Sequence, residues 1–152
     1  MRTLFTVGYE GTTVDAFLAT LAAAGVRLLV DVRAVASSRR PGFSKTKLAA
    51  NLASAGIDYL HLRGLGTPAE GRAAARAGSH AEMHAVFREH RATDAPRADL
   101  DTLEQLVASD RPVCILCFEA DPAHCHRTLV ARALGERTRL RVVDLRPEVD
   151  VD

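Results

Sequence analysis

The sequence predicts an α/β fold: one three-layer α/β/α domain over residues 1–152, with a mainly parallel sheet of about five strands and a polar tail at 147–152. Three observations lead there. Short apolar runs rich in β-branched residues recur along the chain, and their near-continuous apolar character suits strands covered on both faces. Segments with apolar residues at helical spacing alternate with them, which implies right-handed crossovers and parallel neighbours. A length of 152 residues fits one domain with a real core.

Residues 4–7 form the first strand and run into the turn Gly8-Tyr9-Glu10-Gly11. Thr12 or Thr13 caps a helix over 14–21, whose Phe17, Leu18 and Leu21 make a sheet-facing stripe, and Gly25 stops it. Residues 27–33 are a second strand, followed by a loop to about Phe43 that carries Ser37, Ser38, Arg39, Arg40, Pro41 and Gly42. Ser44 caps a helix running to Gly56, and 57–62 make a third strand with Tyr59 and His61 on one face. Residues 63–78 read as a long Gly- and Ala-rich connection. Ser79-His80-Ala81-Glu82 has the capping-box pattern and starts a helix, and Asp101 with Glu104 repeats the pattern for a helix over about 101–109. Residues 112–118 are the fourth strand, a turn holds Asp121-Pro122, a helix spans about 124–134, and 139–145 form the fifth strand.

Composition excludes several function classes. Twenty basic against nineteen acidic residues leave a formal charge of +1, so no global field points to nucleic acid or membrane. No apolar stretch approaches the ~20 residues of a membrane span. The first residues read as a strand and not as a signal peptide, and three cysteines form an odd set, so reduced thiols in the cytoplasm are expected over a disulfide framework.

In a parallel sheet the C-terminal strand ends share one edge, where open α/β folds bind ligands. That edge collects Tyr9 and Glu10, Asp31 and Arg33 leading to Arg39 and Arg40, His61, and then Cys117, Glu119, Cys125, His126 and Arg127. The opposite connections, such as Ala22-Ala23-Ala24-Gly25 and Ala55-Gly56, offer little comparable chemistry. Cys114 and Cys117 have Cys-x-x-Cys spacing, but within a strand they point to opposite faces, so Cys114 reads as core. Cys125 lies near a helix N-terminus that favours a thiolate; it is either a nucleophile with Cys117 as resolving thiol, or packing against Leu129. Glu119 either does acid–base work or accepts hydrogen bonds from the amides of that helix. His126 either relays protons or braces a loop. Arg127 opposes the helix dipole, which favours a partner anion: Asp31, Glu119 or a ligand phosphate. Tyr9 and Phe43 either stack on a flat ligand or pack within their loops.

From Val32 to Ile57 no residue is acidic, while Arg33, Arg39, Arg40, Lys45 and Lys47 are basic. With helix N-termini at Ser44 and near Cys125, this suits a phosphate-bearing ligand, nucleotide or nucleic acid. No segment fits the dinucleotide fingerprint or the nucleotide P-loop.

Thr6-Val7-Gly8-Tyr9-Glu10-Gly11, Leu29-Val30-Asp31-Val32-Arg33, Arg40-Pro41-Gly42-Phe43-Ser44 and Tyr59-Leu60-His61-Leu62 with Leu65-Gly66 belong to one pattern. Leu116-Cys117-Phe118-Glu119 with Cys125-His126-Arg127 completes it. In this combination the chain resembles the uncharacterised family catalogued as domain of unknown function 488. The resemblance implies that the matching positions form one cleft on an α/β sheet, and it implies no particular activity.

The first expectation is an enzyme acting on a phosphate-containing substrate. Glu119, Cys125, His126 and Cys117 would carry catalysis, and Tyr9, Glu10, Asp31, Arg33, Arg39, Arg40, Phe43, His61 and Arg127 would carry binding. A non-catalytic nucleotide or nucleic-acid binding module is the alternative. A metal site using Cys117, Cys125 and His126 beside Glu119 is the third; neighbours on a helix diverge by about 100 degrees, so joint ligation requires that Cys125 and His126 sit at the helix cap. No cofactor and no membrane partner is expected.

Overall fold

Strict alternation along the strands sorts the apolar residues into two cores, one on each face of a sheet. On the fourth strand Val113 and Ile115 join one cluster while Cys114 and Leu116 join the other. On the second, Leu28 and Val30 part from Leu29 in the same way. The computed structural model describes residues 1–149. In chain order they form β1 (Arg2–Gly8), α1 (Val14–Ala23), β2 (Leu28–Asp31), α2 (Lys45–Ser54) and β3 (Asp58–His61). Then come α3 (Ala69–Arg76), α4 (His80–Arg91), α5 (Asp94–Ala108), β4 (Val113–Cys117), α6 (His126–Gly135) and β5 (Leu140–Leu145). Short 3-10 turns occupy Arg63–Leu65 and Pro122–His124.

The sheet has five strands in the order β3-β2-β4-β1-β5, and every ladder between them is parallel. Phe17 and Leu21 of α1 with Leu48 and Leu52 of α2 cover one face. Leu100, Leu103 and Val107 of α5 with Val130 and Leu134 of α6 cover the other. The chain is thus a three-layer α/β domain, as the strand–helix alternation requires. Register fixes which residues meet at the C-terminal edge: Gly8 pairs with Cys117, and Asp31 pairs with Leu116 on the other side of β4.

Local details depart from the sequence reading in several places. The 63–78 connection contains α3, because Ala69-Glu70-Gly71-Arg72-Ala73-Ala74-Ala75-Arg76 is rich in strong helix formers behind Pro68. Helix α5 begins at Asp94, seven residues before the expected start, since Pro96 falls in the first turn where no amide partner is needed. Ser79 precedes α4 as expected but makes no side-chain cap bond. Helix α6 starts at His126, with Cys125 as its extended cap residue. Of the polar tail, Val149 forms an antiparallel bridge with Thr12, and residues 150–152 lie outside the described part.

Candidate functional site

The C-terminal ends of β1, β2 and β4 open into a cavity of about 390 Å³. Cys117, Glu119 and His126 form its reactive floor, Arg33, Arg72 and Arg76 give it positive walls, and Tyr9, Val35, Met83 and Phe118 supply apolar surface. Two glycines let backbone segments approach closely enough to shape it. A Cβ on Gly8 would lie 1.8 Å from the Glu119 carbonyl oxygen, and one on Gly66 would lie 2.2 Å from the Ala34 amide nitrogen.

The floor is assembled by β4 and α6. Cys117 Sγ lies 3.1 Å from His126 Nδ1 and 3.7 Å from Glu119 Oε2. His126 Nε2 lies 2.7 Å from the Val32 carbonyl oxygen. A carbonyl only accepts, so Nε2 carries the hydrogen and Nδ1 is left to face the thiols. Burial opposes a charge on Cys125, but hydrogen bonds with Cys117 and His126 and the positive charges of His126 and Arg127 outweigh it, and its thiol falls well below the usual range. Burial, followed by the proximity of Cys125 and Glu119, pushes the Cys117 thiol up. Contact geometry thus gives the imidazole to Cys117 while electrostatics give the negative charge to Cys125. The reading consistent with both is one proton-sharing set in which Cys125 is the more acidic thiol and Cys117 the less acidic one. Burial resists a charge on His126, yet the hydrogen bond and charge of Cys125 and the Val32 carbonyl raise its pKa. Glu119 is pushed up to about 7, first by burial and then by the Cys125 charge. Its carboxylate faces Cys117 and the cavity; the amide of the next turn that is capped, Ala123, goes to Asp121 instead.

Asp31 does not reach the cavity as a ligand group. It is fully buried and holds Arg33 through Nε–Oδ1 (2.9 Å) and Nη2–Oδ2 (2.7 Å), while the Tyr59 hydroxyl donates to Oδ2 at 2.6 Å. Burial and then the Asp31 bond raise the Tyr59 pKa above its ordinary range. Arg33 Nη1 also donates to the Tyr9 hydroxyl (3.2 Å) and the Phe43 carbonyl (2.8 Å), so four of its five donors are engaged. Burial works against the Arg33 charge, but its bonds to Asp31 more than restore it and its pKa rises. His61 Nε2 donates to the Arg33 carbonyl at 2.7 Å and so braces this strand end. Phe43 belongs to the core: its ring stacks on Tyr9 with centroids 4.7 Å apart and contacts Phe17 edge-on. Of the two alternatives for these rings, packing within the protein holds: they stack on each other, and of the two Tyr9 also lines the cavity.

Arg127 answers its unfavourable helix position with no carboxylate partner among the described residues. Nε donates to Thr6 Oγ1 (3.2 Å), Nη1 to the Glu119 carbonyl (2.5 Å) and Nη2 to the Ala120 carbonyl (3.4 Å). Thr6 Oγ1 in turn donates to Asp144. Fully buried, Arg127 ties the loop after β4 to β1 and does not line the cavity. Glu10 is exposed and accepts the Ala120 amide at 3.0 Å, bracing the same loop. Arg39 is exposed and outside the lining; Arg40 donates from Nε to the Thr12 carbonyl and lines a second hollow with Lys45 and Lys47. Of the expected groups, the cavity therefore gathers Tyr9, Arg33, Cys117, Glu119 and His126, with Cys125 behind them. Arg72 and Arg76 were not anticipated. Their i, i+4 spacing on a helix-forming segment was the available signal.

A family profile described as Domain of unknown function DUF488 matches residues 13–134, and the chain belongs to that family. The matched span includes Arg33, Glu119, Cys125 and His126, and the Gly8-Tyr9-Glu10-Gly11 turn precedes it. No curated protein and no solved structure matches the chain.

Proposed function

We propose that this member of the family is an enzyme acting on a phosphate-bearing substrate, a nucleotide or nucleic acid, in the cavity at the C-terminal edge of the sheet. The observation that carries the reading is the meeting of Arg33, Arg72 and Arg76 with Cys117, Glu119 and His126 around one space. Arg72 and Arg76 lie one turn apart on α3, half-buried and exposed respectively, and supply positive charge for the phosphate. Arg33, locked by Asp31, adds a fixed charge at the wall. Phe118 and Val35, 43% and 55% exposed, offer a flat apolar surface to a base. Glu119 is the carboxylate placed to accept or return a proton beside the Cys117–His126 contact. The three free cysteines fit a reducing compartment, the cytoplasm.

Calorimetric titration with a nucleoside diphosphate and its parent nucleoside tests this. The diphosphate should bind more tightly, and Arg72→Ala with Arg76→Ala should weaken it by at least about tenfold, some 1.4 kcal/mol. Equal binding of diphosphate and nucleoside, or an unchanged affinity in the double variant, would refute the reading. A non-catalytic binding module is the second reading, and the hollow of about 450 Å³ lined by Arg40, Lys45 and Lys47 at the start of α2 favours it. In that case Lys45→Ala with Lys47→Ala, not the α3 pair, should remove the affinity and lower its salt slope by up to about two.

A further inference from the structure

We propose that Cys117, Cys125 and His126 bind one divalent cation of the zinc class, with the fourth coordination position open to the cavity. The Sγ atoms of both cysteines and a ring nitrogen of His126 lie within 4.8 Å of one another. Zinc bonds of ~2.3 Å to sulfur and ~2.0 Å to nitrogen put tetrahedral S,S,N donors roughly 3.5–3.8 Å apart, so small side-chain shifts close the set around a metal. Two segments supply it: Cys117 ends β4, and Cys125 and His126 begin α6.

The local backbone removes the objection to adjacent ligands. Cys125 is the cap residue, with extended angles of φ −115° and ψ 141°, while His126 is the first helical residue. Their side chains therefore do not diverge by the helical step. His126 is also oriented as metal-bound imidazoles are. Its Nε2–H is fixed on the Val32 carbonyl at 2.7 Å, which leaves Nδ1 as the nitrogen available to a metal, 3.1 Å from Cys117 Sγ. The three residues are 4%, 3% and 8% exposed, yet Cys117 and His126 line the cavity, which gives a cation its way in. Three protein ligands with an open fourth position is the pattern of catalytic rather than structural zinc. Glu119, with Oε2 3.7 Å from Cys117 Sγ, stands beside that position, either to complete the coordination or to take a proton from a bound water. Only the open position borrows the cavity of the proposed function; the three donors stand without it.

The test uses the full chain, purified under reducing conditions and equilibrated with Zn²⁺ or Co²⁺. Elemental analysis should find one metal per chain. The Co²⁺ form should show thiolate-to-metal charge-transfer bands with tetrahedral d–d absorption. Cys125→Ser and His126→Ala should each lower metal affinity beyond the roughly 10–100-fold typical of losing a supporting hydrogen bond. If a variant does not fold, the unmodified chain still decides: its midpoint of thermal unfolding should rise with Zn²⁺ and fall again with a chelator. Substoichiometric metal, a Co²⁺ spectrum without charge transfer, or a midpoint indifferent to Zn²⁺ would overturn the proposal. So would reduced protein that takes up no metal while air-oxidised protein holds a Cys117–Cys125 disulfide. Arg72→Ala should leave metal uptake unchanged while weakening the diphosphate, so the two readings fail separately.

Discussion

Arg33 shows how single residues divide between holding the site and being the site. Its guanidinium is buried, and Asp31 is the countercharge that makes this tolerable. Asp31→Asn should destabilise the domain by about 3–5 kcal/mol in urea unfolding, because it leaves a buried cation unpaired. A loss below about 1 kcal/mol would mean that Arg33 swings out to solvent and is not a fixed wall of the cavity. The same residues mark the limits of reading single side chains from sequence. Cys117, Glu119 and His126 could be expected at the cavity because strand ends in a parallel sheet share an edge. Phe43 and Arg127 could not be assigned, since a loop aromatic and a first-turn arginine look alike whether they meet a ligand or the protein. Phe43 found the Tyr9 ring, and Arg127 found the backbone carbonyls of Glu119 and Ala120.

Elements place these groups, and the contact between β1 and the loop after β4 is the tightest of them. Gly8 pairs with Cys117 and leaves no room for a Cβ against the Glu119 carbonyl, with Arg127 Nη1 only 3.0 Å from the same point. Gly8→Ala should therefore displace Glu119 and its neighbours, costing about 1–3 kcal/mol or more as an overpacking defect and weakening diphosphate binding. Unchanged stability and binding would show that the loop rearranges freely. Strands and the helices that cross between them were legible, because periods of 2 and 3.6 residues survive in the apolar pattern. Helix α3 was not: its buried face is made of Gly71 and Ala74, too small to stand out as an apolar stripe, and Gly64, Gly66 and Gly78 around it gave the whole connection the look of a loop. Missing α3 meant missing Arg72 and Arg76 as one wall of the cavity.

At the scale of the whole molecule, the order β3-β2-β4-β1-β5 puts β4 at the centre, between β2 with Asp31 and β1 with Gly8. The parallel direction could be read from the sequence, but the order could not, because near-continuous apolar strands do not encode which neighbour each one takes. That order is what brings residues as far apart in the chain as Tyr9, Arg33, Cys117 and His126 around a single space. Among the described residues it also sets a basic hollow that holds reactive groups apart from another that holds none. A crystal structure of the complex with a nucleoside diphosphate distinguishes them most directly. The account predicts phosphate density against Arg72 and Arg76, above Cys117 and Glu119, with the base toward Phe118. Phosphates seated instead among Arg40, Lys45 and Lys47, with the first cavity unchanged, would contradict it.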